Sequence, residues 1–211
     1  MDDILDTRFE GTDVELKRNL VNVGDEIDLL KADRGLRRLR VGIGWDVAGF
    51  DTDSLDMDVS VFLLGKDDKT RMDEDFVFYN NAKDLNGAVA HTGDSRTGAG
   101  DGDDESIMID MHNVSFDVHK LVFVVSIYRG DEKAQRMGQV QNAYVRLENA
   151  DNGIEICRYE LKDMEGQNET AAVLGQLNHE GTKWVFLPQA EFVEGGLAAV
   201  ATRYGCTIIQ S

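Results

Sequence analysis

Residues 56–64 read DMDVSVFLL. Met57, Val59, Val61 and Leu63 fall on one side, and Asp56, Asp58 and Ser60 on the other. Side chains along a strand point to opposite faces in turn, so this alternation marks a strand with one face on a core. Neighbouring segments repeat it. Residues 39–45 (LRVGIGW) put Leu39, Val41 and Ile43 on one face, and Gly42 and Gly44 leave room for another backbone to approach. Residues 106–111 (SIMIDM) bring Ile107 and Ile109 together. Residues 120–128 (KLVFVVSIY) are apolar almost throughout, the pattern of a central strand covered on both faces. VQNAYVRL (140–147) and GIEICRYEL (153–161) flank Asp151-Asn152-Gly153, and Asn-Gly between two such runs is the strongest hairpin signal in the chain.

The other segments are shorter. Two strand pieces are expected within residues 14–30, around a turn at Asn22-Val23-Gly24-Asp25. A charged loop over 31–38 follows them. Residues 75–80 (DFVFYN) read as a strand, and 88–91 as a short extended piece. Residues 129–138 suit a loop or short helix, and 168–177 admit a helix or a strand. A strand over 183–187 is expected to end at Pro188, the only proline, and 195–205 suit a terminal helix. Many short strands and 21 glycines predict a mostly β fold: a two-sheet β-sandwich with a few short helices. Residues 1–13 form an acidic arm ahead of a single domain over 14–211.

The chain carries 40 acidic against 22 basic residues, a net charge of −18. That excludes a general nucleic-acid binder, which needs clustered Lys and Arg to neutralise phosphates. It also disfavours anionic membrane surfaces. Cys157 and Cys206 are the only cysteines and form no CxxC motif, so free thiols are expected. The N-terminus MDDILDTRFEGTD is too acidic for a secretory signal. No window reaches the ~18 apolar residues of a spanning helix, and a cytoplasmic protein with no direct membrane insertion is expected.

The acids cluster. Asp46, Asp51, Asp53, Asp56 and Asp58 have no Lys or Arg between them. Asp73-Glu74-Asp75 precede the amides Asn80 and Asn81. Asp94, Asp101, Asp103, Asp104 and Glu105 surround a Gly-rich loop whose one base is Arg96. Packed carboxylates repel, so such a loop needs a compensating charge. A hard cation held by carboxylate, amide and carbonyl oxygens would supply it, and Ca²⁺ suits such a shell. Mg²⁺ sharing its shell with a phosphate is an alternative, and so is a merely solvated acidic rim. The spacing is not that of an EF-hand, because Ser106 stands where its glycine would be. The four histidines lack zinc-site spacing. There is no GxxxxGK[ST] phosphate loop and no GxSxG elbow. His91 beside Asp94 reads as a loop residue bonded to backbone rather than half of an acid–base pair. Trp45 and Trp184 read as core aromatics.

These motifs also resemble a known family. VGIGWD (41–46), LDMDVSVFLL (55–64), DEDFVFYNN (73–81), AHTGDSRTGAGDGDDESI (90–107) and KLVFVVSIY (120–128) are similar to those of the TerD family of bacterial tellurite-resistance and general stress proteins. GQVQNAYVRL (138–147), IEICRYEL (154–161) and GGLAAV (195–200) extend the likeness to nearly the whole chain. The resemblance implies a β-sandwich that binds Ca²⁺, typically two ions, through these acidic loops, with no established enzymatic activity. It also implies partners among other stress and tellurite-resistance proteins, including a membrane-anchored one. Carried over by motif, the metal-site residues are Asp46, Asp56, Asp58, Asp75, Asn80, Asn81, Asp94, Asp103, Asp104 and Glu105. RGDEKAQRMG after Tyr128 follows the family pattern only loosely, and the N-terminal arm precedes its usual start. The competing expectation is a divalent-metal-dependent phosphoryl- or nucleotide-processing enzyme using the same loop.

Overall fold

A computed structural model describes residues 19–47, 55–92, 102–162 and 164–206. In chain order these form β1 (Leu20–Val21), β2 (Ile27–Asp28), α1 (Leu29–Ala32), β3 (Arg38–Val47), β4 (Met57–Leu64), β5 (Phe76–Val77) and β6 (Val89–His91). There follow β7 (Glu105–Asp110), β8 (Lys120–Ile127), β9 (Val140–Asn149), β10 (Ile154–Glu160), β11 (Ala171–Glu180), β12 (Lys183–Phe192) and α2 (Gly196–Arg203). The described strands make two sheets of six, ordered β1-β10-β9-β3-β7-β6 and β2-β12-β11-β8-β4-β5. Pairing is antiparallel except between β1 and β10. The expected mostly β, two-sheet architecture with few helices is therefore what the chain adopts.

The core between the sheets is built from the alternating positions. Leu39, Val41 and Ile43 of β3 meet Met57, Val59, Val61 and Leu63 of β4, with Ile107, Ile109, Phe123 and Val145 around them. Trp45 and Trp184 are buried in the same layer. Burying each such side chain is worth ~1.5–3 kcal/mol, which makes this layer the main driving force for folding.

A second apolar layer lies on the far side of the β8 sheet. Phe62, Leu64, Val122, Val124, Ala171 and Val173 pack there with Val200 and Ala201 of α2. This explains two patterns. β8 is apolar throughout because α2 covers the face that would otherwise meet solvent. β4 alternates only in its first half; Phe62 and Leu64 face the α2 layer, while Asp58 lies on the same face beyond it.

The structure departs from the sequence expectations at several places. Asp28 accepts a hydrogen bond from the Lys31 amide and caps α1, so Leu29 belongs to a helical turn and not to a strand or loop. Only Phe76–Val77 of the expected 75–80 strand is extended; Asp73–Asp75 form a 3-10 turn. Residues 168–177 lie mostly in β11, an inner strand. Pro188 lies within β12 instead of ending it, opposite Gly175, where the register with β11 shifts. The other neighbour, β2, pairs only at Val185 and Phe186, so the missing proline N–H falls on an edge. The arm over 1–13 and the strand piece at Val14 and Leu16 lie outside the described residues.

Candidate functional site

Three consecutive acids close one end of the β3 sheet. The β3–β7 ladder finishes at Ile43 opposite Glu105. Asp104 prolongs it: its amide donates to the Ile43 carbonyl at 2.9 Å, and its Oδ2 accepts from the Trp45 amide at 2.9 Å. The Asp104 carboxyl is pushed above the usual carboxylate range, first by burial and then by the charges of Asp46 and Asp103. The Trp45 amide only partly offsets this. Among the described residues the Asp104 Oδ1 atom makes no hydrogen bond. Asp46 is exposed and accepts from Asn142 Nδ2 at 2.6 Å.

Asp103 is held differently. Arg146 of β9 donates to both of its oxygens, at 2.6 and 2.8 Å, and the Tyr144 hydroxyl donates at 3.1 Å. Burial and the neighbouring Asp103 push that hydroxyl up to about 12, so it keeps its proton and remains a donor. Arg146 also lies 2.9 Å from Glu148, and the Arg158 guanidinium sits 4.1 Å above the Tyr144 ring. The acidic loop thus receives an opposing charge from a distant strand, which its local composition hid.

Gly42 and Gly44 make room for this arrangement. A Cβ on Gly42 would lie 2.0 Å from Asp103 Oδ2, and one on Gly44 2.5 Å from the Tyr144 ring. The close approach is by side chains, where the sequence suggested a backbone. Gly42→Ala is therefore expected to displace the Asp103 carboxylate from Arg146 and to destabilise the fold by about 1–3 kcal/mol. The shift in urea midpoint checks this; a midpoint unchanged from the parent chain would show that Asp103 moves aside freely.

Glu105 turns inward. Its Oε2 accepts the Val59 amide at 2.7 Å and lies 3.0 Å from His91 Nε2. Val59 belongs to the opposite sheet, and β5 pairs with β4 only at Val61 and Phe62. The carboxylate of one sheet thus satisfies an edge amide of the other. His91 meets this carboxylate through its ring, where a backbone partner was expected.

The remaining predicted residues lie elsewhere. Asp58 sits on the outer face of β4, and Asp56 and Asp58 are close enough to Tyr79 to raise its hydroxyl, after burial as the leading cause. Asn80 and Asn81 border the same region, and Asn81 Nδ2 donates to the Phe76 carbonyl at 2.7 Å. Asp75 is fully buried against Arg71, which donates to it from its amide at 2.7 Å and from its side chain at 2.8 and 2.6 Å. Asp94 lies outside the described residues. Among the described residues, no three acid, imidazole or thiol groups come together in a way that could hold one metal ion. Sequence reasoning missed Arg146 and Tyr144, although both stand at alternate positions of residues 140–147, the pattern of a shared outward face.

The TerD domain profile matches residues 19–204. The chain belongs to the TerD family. It is 42% identical over 182 residues to tellurium resistance protein TerD of Serratia marcescens, covering 86% of this chain and 94% of that relative. It is 39% identical over 186 residues to general stress protein 16U of Bacillus subtilis (strain 168), covering 88% and 96% respectively. A solved homologue of telluride resistance protein (TerD) from Streptomyces coelicolor A3(2) superposes with a TM-score of 0.63. It shares 19% identity, over 82% of this chain and all of that one, a likeness that shows the fold. These relatives are named as resistance or stress proteins. No helix among the described residues is long and apolar enough to cross a membrane.

Proposed function

We propose that the chain is a non-enzymatic, cytoplasmic Ca²⁺-binding stress-response module of the tellurite-resistance type. Its acidic loops are ordered by calcium and present a surface to other stress or tellurite-resistance proteins, one of them membrane-anchored. The observation that supports this most directly is Asp104. A carboxyl raised first by burial and then by two neighbouring carboxylates, with one oxygen uncommitted among the described residues, is a position that a cation would relieve. The donors around it are hard oxygens, the chemistry Ca²⁺ takes. Asp46 and Asp104 would hold one ion, beside Asp103 and Glu105 and with Asp94 a further donor. Asp56, Asp58, Asn80 and Asn81 form a separate oxygen-rich group that suits a second ion. A bound Ca²⁺ would supply only charge, offsetting carboxylate repulsion. Asp75, already enclosed by Arg71, would support the turn rather than the ion.

Calorimetric titration of chelator-stripped protein with Ca²⁺, repeated with Mg²⁺, tests the reading. Saturable binding at whole-number stoichiometry, tighter for Ca²⁺, is expected; heat equal to dilution would leave the acids as a solvated rim. Asp104→Asn sharpens the test because its effects have opposite signs. An acid whose folded-state pKa is raised weakens folding above that pKa, and the loss is absent below the unfolded value. At neutral pH the ion-free Asn variant is therefore expected to melt higher than the parent. It should also lose most of the calcium-dependent gain, which for the parent is about 2.7 kcal/mol at one hundred times Kd. An undiminished gain would remove Asp104 from the site.

A further inference from the structure

The outer face of the β8 sheet carries a cleft of about 750 Å³ beside α2, within the size range of clefts that enclose a small ligand or a few side chains. Asp58 and Ser126, paired across β4 and β8, lie in its floor. Part of the lining is aromatic. Phe76 and Phe78 stack at 4.4 Å, Tyr79 meets Phe78 at 5.3 Å, and Tyr128 stands edge-on to Tyr79 at 6.2 Å. Tyr79 and Tyr128 remain 44% and 39% exposed. Lys133 and Arg129 lie 5.5 and 5.8 Å from the Tyr128 ring centre, so one face of this pair already takes cations. Among the described residues no cation covers Tyr79.

Two more features select the occupant. Asp73, Glu74, Asp131 and Glu132 border the cleft; Arg129 lies 3.2 Å from Glu132 and Arg136 3.2 Å from Asp131, so those two acids are already paired. Asp73 and Glu74 form no ion pair among the described residues. Leu197 and Ala198, in the first turn of α2, belong to the same lining, and the Gly195 N-cap has no side chain to bond that turn's amides.

We propose that this cleft docks a short basic segment of a partner protein. Its Lys or Arg side chains meet Asp73 and Glu74, leaving the Asp58 group to a second ion, an apolar side chain lies on Tyr79, and its carbonyls accept from the Leu197 and Ala198 amides of α2. Charge complementarity carries the choice: the lining is acidic on a chain of net charge −18. Exposed rings and the Leu197 and Ala198 amides at the start of α2 favour a peptide over a bare polycation. The inference gives chemistry to the partner surface of the proposed function, and rests on that reading only for there being a partner.

Fluorescence anisotropy of the whole chain with a labelled peptide of alternating Lys and Leu, against a Glu and Leu control, tests it. Each titration is run in Ca²⁺ and in chelator. Saturable binding of the basic peptide alone is expected, weakened about tenfold or more by Tyr79→Ala and by Glu74→Lys. Both positions are exposed, and an unchanged urea midpoint checks that each variant keeps the fold. Unchanged affinity in both variants, equal binding of the acidic control, or full displacement by spermine at matched concentration would overturn the assignment. Peptide binding in chelator alongside a failed Ca²⁺ titration sinks the ion reading and keeps the cleft. A good Ca²⁺ titration with no peptide binding in either buffer does the reverse.

Discussion

Replacing Arg146 by Met is expected to destabilise the protein by about 2–3 kcal/mol, seen as a lower urea midpoint. Arg146 is the only base on Asp103 among the described residues and shares Glu148 with Arg40. Its side chain is 21% exposed, and those of Asp103 and Glu148 are 10% and 9% exposed. Removing one partner of a fully buried pair costs about 3–5 kcal/mol, because the other charge stays behind. Partial solvent access at Arg146 lowers that cost. Arg146→Lys keeps the charge but loses the two parallel bonds at 2.6 and 2.8 Å, so an intermediate loss is expected. Adding Asp103→Asn to Arg146→Met should restore much of the stability, since the stranded charge is gone. Simple additivity of the two would show that the pair is too well solvated to matter. The ion reading adds a sign. With Arg146 absent the loop regains its uncompensated charge, so Ca²⁺ should bind the Met variant more tightly than the parent and recover part of the loss.

The sandwich was readable because its inner faces are local patterns: Leu39, Val41 and Ile43; Met57, Val59, Val61 and Leu63; and the Asn152-Gly153 hairpin. The β8 run was readable as doubly buried, but not the reason, because α2 arrives some seventy residues later to cover it. β11 stayed ambiguous because Ala-rich strands carry weak propensity and its register shift at Gly175 breaks alternation. The site was readable as donor chemistry and not as pairing. Within 94–105 the only base is Arg96, yet the counter-charge on Asp103 comes from Arg146, 43 residues away. For Asp75 the signal is local: Arg71 stands four residues earlier, among acids that mask the pair by composition. Nothing local tells which carboxylates are already satisfied, and that is what separates Asp75 and Asp103 from Asp104.

Glu105→Ala is expected to cost about 3–4 kcal/mol and to expose the coupling between the two acidic regions. The change removes a side chain that is 1% exposed, leaves the Val59 amide without its acceptor in the core, and strips His91 of its partner. A buried orphan donor costs about 1–3 kcal/mol, and the cavity adds to it. Glu105→Gln should lose far less, since its amide oxygen can still accept from Val59 and its nitrogen can donate to a neutral His91. Hydrogen exchange at the Val59 amide gives the local readout. Protection should collapse in the Ala variant and persist in the Gln variant. Protection equal to the parent in both would mean that the β4 edge is held by something else. The bond matters for function because of its neighbours. Glu105 follows Asp104 in the chain, and Val59 follows Asp58, so one hydrogen bond joins the loop end to the floor of the cleft. If Ca²⁺ at Asp104 tightens the peptide cleft, the effect should pass through this bond. The Gln variant should keep the calcium dependence of peptide binding, and the Ala variant should bind peptide equally with Ca²⁺ or chelator.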